Sequence, residues 1–529
     1  MTKAITLYKH PPQPNSTSIS LKTWIGVFGT ILGAFMAVLD IQITNASLKD
    51  IQAALGASLD EGSWISSSYL VAEMIVIPLT SWLPQIFSTR RYLIVNVILF
   101  ILFSVCCAHA WDLPSMIVFR AGQGLTGGIL IPMAFTVLLT SLPPAMLPMG
   151  MALYSVTATF APSIGPTLGG WLTDNFSWQY IFYLNIVPGI IVLTAVWYAI
   201  APEPMRLNLL KHGDWWGIGT MAIGFGSLQI VLEEGSRKDW FDSNLIVCLT
   251  AIATIFIILF LLIELIRQQP FINLHLFSRR NFTFASIVNV CLGLGMFGSL
   301  YILPLYLSEI QGYDALQIGE VMMWAGLPQL FLIPFVPKLM QIFDTRLMIA
   351  VGVSVFAMSC FMNSHMTHDT AMAQLRMSQF VRAMGQPLIM IPLSTTATGG
   401  IPKQLAGSAS SLYNMMRNLG GSIGTATLAT LVTNREQFHS QRLGENISLY
   451  SLETQQRLNQ MTQYFTSLGT DLTTAKQQAL AAIDEIVRRE AYVMAFNDCF
   501  YFLACALLLS GLAVLFLKKV KASGNVAVH

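Results

Sequence analysis

Fourteen long apolar segments constrain the fold of this chain more than any other feature of its sequence. A helix that crosses a bilayer needs about 20 mostly apolar residues, whereas the strands of a membrane barrel are shorter and alternate in polarity. Only 11% of the residues are charged, against about a quarter in an ordinary soluble protein. The predicted fold class is an all-α polytopic membrane protein, with spans at roughly 24–48, 61–83, 91–110, 113–141, 146–172, 178–200, 214–234, 243–266, 281–307, 315–340, 346–365, 371–398, 404–433 and 491–517.

An even number of spans puts both ends of the chain on one side of the membrane. With the termini inside, sixteen of the 29 Lys and Arg residues lie in the tails or in inner loops, which is the asymmetry that cytoplasmic loops show. The first apolar segment is too long for the apolar part of a cleaved signal peptide. We therefore predict a plasma (inner) membrane protein with cytoplasmic tails at 1–23 and 518–529.

The placement of the cysteines and the absence of a nucleotide-binding loop exclude several classes of protein. All seven cysteines lie inside apolar segments, without the spacing of a disulfide framework or of a zinc site. No Gly-Lys dipeptide occurs, so no Walker A loop can bind ATP. The sequence indicates no metal, no cofactor and no nucleic acid partner, and we expect no enzyme activity.

An internal repeat divides the chain into two halves. The stretches "LYSVTATFAPSIG" at 153–165 and "LYNMMRNLGGSIG" at 412–424 share Leu-Tyr and Ser-Ile-Gly at an offset of 259 residues. Nearby, "FRAGQG" with "ILIP" (119–132) matches "VRAMGQ" with "IMIP" (381–392) at almost the same offset. We predict six-helix bundles at 24–200 and 281–517, with two additional helices at 201–270 between them. Parallel halves of this kind are typical of secondary transporters.

Polar and charged side chains inside the spans mark the candidate site. Asp40 shares a helical face with Thr44 in the first span, and Tyr69 shares one with Glu73 in the second. Such a side chain cannot face lipid, so it faces other helices or a water-filled cavity. Two interpretations remain open here, which are a hydrogen-bond network between helices and a transport pathway.

Buried arginines recur in both halves. Arg120 lies on one face with Gly124 and Gly127, which let a neighbouring helix approach, and the guanidinium then needs a carboxylate or carbonyl partner. In the second half, an arginine could be present only because the repeat includes one, with a structural role and no role in transport. The candidates there are Arg382 with Gln386, and Arg417 with Asn414.

The fifth span contains a glycine-rich stretch that indicates either a hinge or a fixed kink. Pro166 removes a helix hydrogen bond in the middle of this span and permits a bend. Gly165 and Gly169 have the spacing of close-packing glycines, and Gly170 follows them.

Several of these stretches together resemble the major facilitator superfamily, in its fourteen-helix drug:proton antiporter branch, and within it the EmrB-type multidrug exporters. The matching stretches are "LDIQITNASL", "RAGQG", "SIGPTLGG", "LFSRRNF" and "RNLGGSIGTATLATLVTNRE". Two departures stand out. The loop "SWLPQIFSTRR" lacks the usual Gly and Asp but keeps Arg90 and Arg91, and Ala161 stands where a Gly is usual.

The resemblance implies a proton-driven exporter of drugs or other amphipathic small molecules, without a cofactor. We interpret Asp40 as the proton site and Arg120 as its modulator, because a carboxylate gains affinity for a proton when a neighbouring cation moves away. The alternatives are a dedicated exporter of one metabolite, such as a siderophore, and a transporter-like sensor, scaffold or membrane enzyme. The candidate substrate-binding residues are Glu73, Tyr69, Thr44, Asn414 and Arg417; the conformational ones are Gly165, Pro166, Gly169, Gly170, Arg90 and Arg91; and Arg382 and Gln386 are secondary.

One long polar segment, residues 436–490, lies outside the membrane in the predicted topology. Apolar residues recur in it at helical spacing on both sides of Gly469, which predicts an amphipathic helical hairpin. Its apolar faces either cover each other or dock a partner. The resemblance implies a periplasmic membrane-fusion adaptor that passes cargo to an outer-membrane channel, provided that the host has two membranes.

Overall fold

The computed structural model describes residues 20–211, 213–267, 270–445, 447–448 and 450–519. Within them, a long helix lies at each of the fourteen predicted spans, and no strand occurs. The predicted all-α fold class is thereby confirmed. The helices are α1 (Leu21–Ala46), α2 (Trp64–Ser81), α3 (Thr89–Ala108), α4 (Leu113–Ser141), α5 (Leu147–Asn175), α6 (Tyr180–Ala199), α7 (Trp215–Glu234), α8 (Asn244–Ile266), α9 (Arg280–Glu309), α10 (Ala315–Ile342), α11 (Thr345–Asn363), α12 (Met372–Thr398), α13 (Ala406–Glu445) and α14 (Leu472–Val514).

Eleven helices of the described chain are long and apolar enough to cross a membrane. The other three long helices, α5, α12 and α13, carry more small and polar residues, and they pack between other helices. Helix α5 contacts α1 and α10, α12 contacts α10 and α11, and α13 contacts α9 and α14. The most polar helices are therefore surrounded by the more apolar ones, as an interior pathway requires.

Side chains at the helix starts satisfy backbone N–H groups that have no partner within the helix. The Asp471 carboxylate accepts hydrogen bonds from the backbone of Thr473 and Thr474 at the start of α14. The Thr474 hydroxyl also donates to Asp471, and this bond lowers the pKa of the exposed carboxyl. Other caps of this kind are Ser20 for α1, Asp112 for α4, Asp214 for α7 and Asp314 for α10.

The two halves meet along α5 and α10 and at the predicted inner ends of several helices. A Cβ atom on Gly170 would lie 3.0 Å from Ala315, and one on Gly319 would lie 2.4 Å from Thr167, so glycine permits this close approach. At the inner ends, α13 binds the first half through two hydroxyls. Ser411 donates to the carbonyl of Ile77 at 3.0 Å, and Ser410 donates to the carbonyl of Pro132 at 2.6 Å.

The two additional helices, α7 and α8, pack against each other and are joined at one end by an ion pair. The Arg267 guanidinium lies 3.0 Å from the Asp214 carboxylate. Helix α7 also contacts α2 of the first half and α13 of the second. Helix α7 therefore lies between the halves.

The segment predicted as an outer hairpin is helical, but its boundaries differ from the prediction. Helix α13 continues past residue 433 to Glu445, a separate hairpin helix spans Leu452–Ser467, and α14 already begins at Leu472. The second arm and the last span form one helix of 43 residues, because no Gly or Pro interrupts the chain between Leu472 and residue 491. Gly469, with φ 94°, makes the turn as predicted.

Candidate functional site

The centre of the first bundle contains a buried ion pair. Asp40 of α1 and Arg120 of α4 are 2% and 0% exposed, and an Oδ2 to Nη1 distance of 2.7 Å separates them. The Asp40 carboxylate accepts two further hydrogen bonds, from the amide of Gln123 at 2.9 Å and from that of Asn185 at 2.6 Å. Because an ionised carboxylate only accepts, this set of donors matches a deprotonated Asp40.

Arg120 is held on several sides. Its Nη1 also donates to Gln123 Oε1 at 2.7 Å, and its Nε donates to the carbonyl of Ile65 at 3.3 Å. The guanidinium carbon lies 4.5 Å from the centre of the Tyr69 ring and 5.9 Å from that of Phe182. The fixed fork of the guanidinium, together with its stacking on rings, suits this combination of contacts in a way that an ammonium does not.

Glycines bring α4 close to α2 beside this pair. A Cβ atom on Gly124 would lie 2.3 Å from the carbonyl oxygen of Tyr69, and one on Gly127 would lie 2.5 Å from the Tyr69 hydroxyl. A Cβ on Gly128 would lie 2.8 Å from the side chain of Glu73. The sequence prediction that these glycines permit close helix packing agrees with the structure, and the packing places Tyr69 against Arg120.

Glu73 lies one helical turn from Tyr69 on α2, and it is 3% exposed. Its carboxylate accepts a hydrogen bond from the Asn418 amide of α13 at 3.0 Å. This contact joins the first half to the second. Unlike Asp40, Glu73 forms no ion pair within 4.0 Å among the described residues. Its carboxylate therefore has fewer partners than that of Asp40.

Asn414 and Arg417 form a separate polar group on α13. The Asn414 oxygen accepts from Arg417 at 2.9 Å and from the hydroxyl of Tyr154 at 2.9 Å. Tyr154 belongs to α5, so this group also bridges the halves. Arg417 directly precedes Asn418, the partner of Glu73, and among the described residues its Nη1 has no hydrogen-bond partner. The two residues therefore lie at the interface of the halves, near Glu73.

Thr44 is buried, but its hydroxyl donates to the carbonyl of Asp40 in its own helix at 2.8 Å. It therefore lies next to the ion pair, and its donor is occupied. One turn further along α1, Ser47 is 2.7 Å from the hydroxyl of Thr173 in α5. These contacts tie α1 to α5 just beyond Asp40.

The glycines of α5 mark its contacts with two other helices. A Cβ atom on Gly165 would lie 2.5 Å from the side chain of Gln42, and one on Gly169 would lie 3.0 Å from the carbonyl of Ile43, so both face α1. Gly170 faces α10 in the other half. Helix α5 is continuous through Pro166 and through a second proline, Pro162.

Arg382 and Gln386 lie in the second bundle away from the acids described above. Arg382 is 4% exposed, lies 5.7 Å from the Phe356 ring centre, and donates to the carbonyl of Met296 at 3.5 Å. Gln386 accepts from Gln329 at 2.8 Å. Among the described residues Arg382 has no salt bridge, so the repeat reproduces the arginine of the first bundle without its carboxylate.

Arg90 and Arg91 lie at the start of α3, where Arg90 is 5.3 Å from the Trp197 ring. The preceding Ser88 has φ 72°, a left-handed conformation that favours glycine. Its hydroxyl accepts a hydrogen bond from the backbone of Glu203 at 3.1 Å, which stabilises the turn. The two arginines are therefore separate from the buried site.

The arrangement supplies two buried carboxylates with different partners. Asp40 is paired with a cation and two amide donors, whereas Glu73 is joined to the second half by an amide. Sequence reasoning missed the amides that complete both environments, Gln123, Asn185 and Asn418. Their signal was present, because each is an uncharged polar residue within an apolar segment, but nothing in the sequence shows which helix faces it.

Comparisons with known proteins agree over most of the chain. A family model described as Major Facilitator Superfamily matches residues 30–425. The Colistin resistance protein EmrB of Acinetobacter baumannii is 32% identical, covering 94% of this chain and 97% of that protein. The Multidrug export protein EmrB of Escherichia coli K12 is 32% identical, covering 89% and 90%. The solved structure of the proton:xylose symporter XylE has a TM-score of 0.59 at 13% identity and covers 95% of this chain and 97% of that chain, so it shows a shared fold alone.

Proposed function

Because this chain belongs to the major facilitator superfamily of multi-pass membrane transporters, and is therefore a transporter and not an enzyme, we propose that it is a proton-driven antiporter. It exports drugs or other amphipathic small molecules. The similarity to a colistin resistance protein and to a multidrug export protein supports export as the direction of transport. The observation that carries the proton coupling is the fully buried pair of Asp40 and Arg120.

The buried pair provides a protonation switch. A charge in low dielectric is stabilised by a partner of opposite sign, and it loses that stabilisation when the partner moves. Asp40 lies on α1 and Arg120 on α4, so a relative movement of these helices changes the affinity of Asp40 for a proton. A proton that enters from outside and binds Asp40 releases Arg120, which then rebinds the carboxylate once the proton leaves inward.

Glu73 is the residue that couples substrate binding to a change of conformation. Its carboxylate attracts a cationic or polar group, and its bond to Asn418 crosses from α2 to α13. A substrate that takes the place of Asn418 breaks a contact between the halves. Glu73 lies on α2 and Arg120, the partner of Asp40, lies on α4, and these two helices pack closely at Gly124 and Gly128. Substrate binding on Glu73 and proton binding on Asp40 then act on helices that are in contact.

The outer hairpin supports a second proposal, that a periplasmic membrane-fusion adaptor binds there and connects the transporter to an outer-membrane channel. The hairpin helix packs against α14, where Ala475 and Ala479 are fully buried. Its tip, the turn around Gly469, remains apolar and exposed at Leu468 and Leu472. An exposed apolar group of this kind is typical of a surface that a partner covers. The inner membrane, with cytoplasmic termini, is the location that fits this assembly.

The experiment that tests the proposed function uses purified full-length protein in liposomes with a defined pH gradient. Uptake into inside-out-oriented vesicles is measured for a panel of lipophilic cations, neutral amphiphiles and organic acids, while a pH-sensitive dye records proton movement. The proposal predicts uptake only with the proton gradient and proton movement only with substrate. Transport that continues unchanged after the gradient is collapsed would refute the coupling.

A further inference from the structure

Helix α7, the first additional helix, carries polar side chains on the surface that faces the two halves. It contacts α2 on one side and α13 on the other. Gln229 and Glu233 lie one helical turn apart toward the predicted outer end of α7. Glu233 is half-buried. A carboxylate within a span is costly in lipid, so its position calls for a functional or structural reason.

A line of hydrogen bonds leads from Glu73 to Glu233. Asn418 donates to Glu73 at 3.0 Å, and Ser422, one turn further along α13, donates to the backbone carbonyl of Asn418 at 3.2 Å. The Gln229 amide lies 2.8 Å from Ser422 and donates to Glu233 at 2.9 Å. Helix α13 runs outward here in the predicted topology, so each step lies further out than the one before.

The neighbouring acid, Glu234, has a different environment. It is 2% exposed and accepts hydrogen bonds from Ser63 at 3.1 Å and from Ser67 at 2.9 Å, both on the α2 side. Its contacts fasten α7 to the first half. Of the two adjacent acids, only Glu233 is turned toward the line of polar groups that begins at Glu73.

We propose that Glu233 is a second, outward binding residue for the positively charged group of a substrate, reached after Glu73 on the way out. The proposal rests on the proposed export function and adds a ligand class, lipophilic cations. Because the amides of Asn418 and Gln229 and the hydroxyl of Ser422 lie in sequence between the two carboxylates, a cation moving outward along them stays within reach of oxygen acceptors. Helix α7 is then part of the transport pathway.

The test measures equilibrium binding of radiolabelled tetraphenylphosphonium, a lipophilic cation, to the purified full-length protein in detergent. Glu233→Gln keeps the shape and removes the charge, and we expect it to weaken cation binding about tenfold, as the loss of one charge-assisted contact does. Glu233→Asp keeps the charge and should recover most of the affinity. Chloramphenicol, a neutral amphiphile, serves as the comparison ligand, and its binding should not change.

Glu234→Gln is the matched control, because an amide oxygen can still accept from Ser63 and Ser67. We expect it to bind the cation within about twofold of the wild type. Equal cation affinity in the wild type and Glu233→Gln, equal losses in both glutamine variants, or no cation binding by the wild type would each overturn the proposal. Cation binding to the protein in detergent requires no proton gradient. This binding result can therefore be interpreted even if proton coupling fails in liposomes.

Discussion

At the scale of single residues, the arrangement around Arg120 explains why an arginine occupies this position. One nitrogen serves both Asp40 and Gln123, another reaches the carbonyl of Ile65, and the plane of the group faces the Tyr69 ring. A lysine has the charge but lacks this fork. A lysine at position 120 therefore keeps the charge and removes the fork, so the contributions of charge and of shape to transport can be measured separately.

We predict that Arg120→Ala is more damaging than Arg120→Lys and that neither restores wild-type flux. The Ala variant leaves the buried carboxylate of Asp40 without its cation, which costs roughly 3–5 kcal/mol of stability when one partner of a buried pair is removed. The Lys variant should lose less stability but still transport poorly. The measurements are the thermal midpoint of the purified protein and the flux in liposomes.

The control for this comparison is Arg346→Lys, since Arg346, in the first turn of α11, pairs with the N-cap residue Asp344 far from the buried site, and both side chains are partly exposed. The Arg346 hydrogen bond lowers the pKa of Asp344, so this pair stays ionised at neutral pH. We expect its substitution to leave flux and midpoint near wild type. Normal transport by Arg120→Ala would remove Arg120 from the mechanism.

A second residue-scale prediction concerns Glu73→Gln. We expect this variant to change the range of exported compounds more than it changes proton coupling, because the amide keeps a hydrogen bond with Asn418 but no longer attracts a cation. Export of cationic compounds should fall several-fold relative to neutral ones, as expected for a lost charge-assisted contact. Resistance profiles and liposome uptake over matched cationic and neutral compounds measure this.

Glu61→Gln, in the exposed turn before α2, provides a control that removes one carboxylate of the same kind outside the site. An unchanged ratio of cationic to neutral transport in Glu73→Gln would show that Glu73 does not select substrates.

The charged residues of the site could be predicted from the sequence, and its amides could not. Asp40, Glu73 and Arg120 stand out because a charge in an apolar segment is costly. An uncharged amide in a span does not have this cost, so the sequence does not single out Gln123, Asn185 and Asn418. Their roles depend on which helices are in contact. One sequence with an internal repeat identifies equivalent helices, but it does not specify contacts between α1 and α6 or between α2 and α13.

At the scale of secondary structure, the positions of the helices were predictable, and the ends of the last two were not. Apolar length defines where a span lies, but a helix continues beyond the membrane wherever the sequence permits it. Residues 434–443 and 472–490 are polar but contain no Gly or Pro, so α13 and α14 extend out of the predicted spans. Polarity therefore did not predict where these two helices end.

The outer extension yields a prediction about assembly. Replacing residues 440–486 with a short Gly/Ser linker should spare transport in liposomes, because the contacts of Asp498 with Arg435 and His439 lie outside the replaced segment and still join α13 to α14. The same variant should lose adaptor co-purification and whole-cell resistance. Pull-down from membranes that contain the adaptor, together with resistance assays, measures this.

A finer variant distinguishes the exposed tip from the rest of the hairpin. Leu468→Ser with Leu472→Ser alters side chains that are 64% and 59% exposed, so it should preserve the fold and weaken the adaptor contact. Wild-type adaptor recovery with the linker variant would mean that the hairpin has no role in docking.

At the scale of the whole molecule, the mechanism depends on polar contacts between the two halves near the site. They include the bond from Asn418 to Glu73 and the bond from Tyr154 to Asn414, and α7 spans the same boundary. Rocking of one bundle against the other, which is the common motion of such transporters, must break or move them. Substrate and proton binding at Glu73 and Asp40 are therefore placed to bias that motion.

Asp40→Asn in liposomes, with proton movement recorded while substrate is added, tests this account most directly. The asparagine keeps an oxygen for Arg120 but cannot bind and release a proton. The account predicts a folded variant in which substrate causes no proton movement and export against a concentration gradient stops. Export against a gradient at the wild-type rate, with proton movement retained, would contradict it and leave Asp40 a structural partner of Arg120.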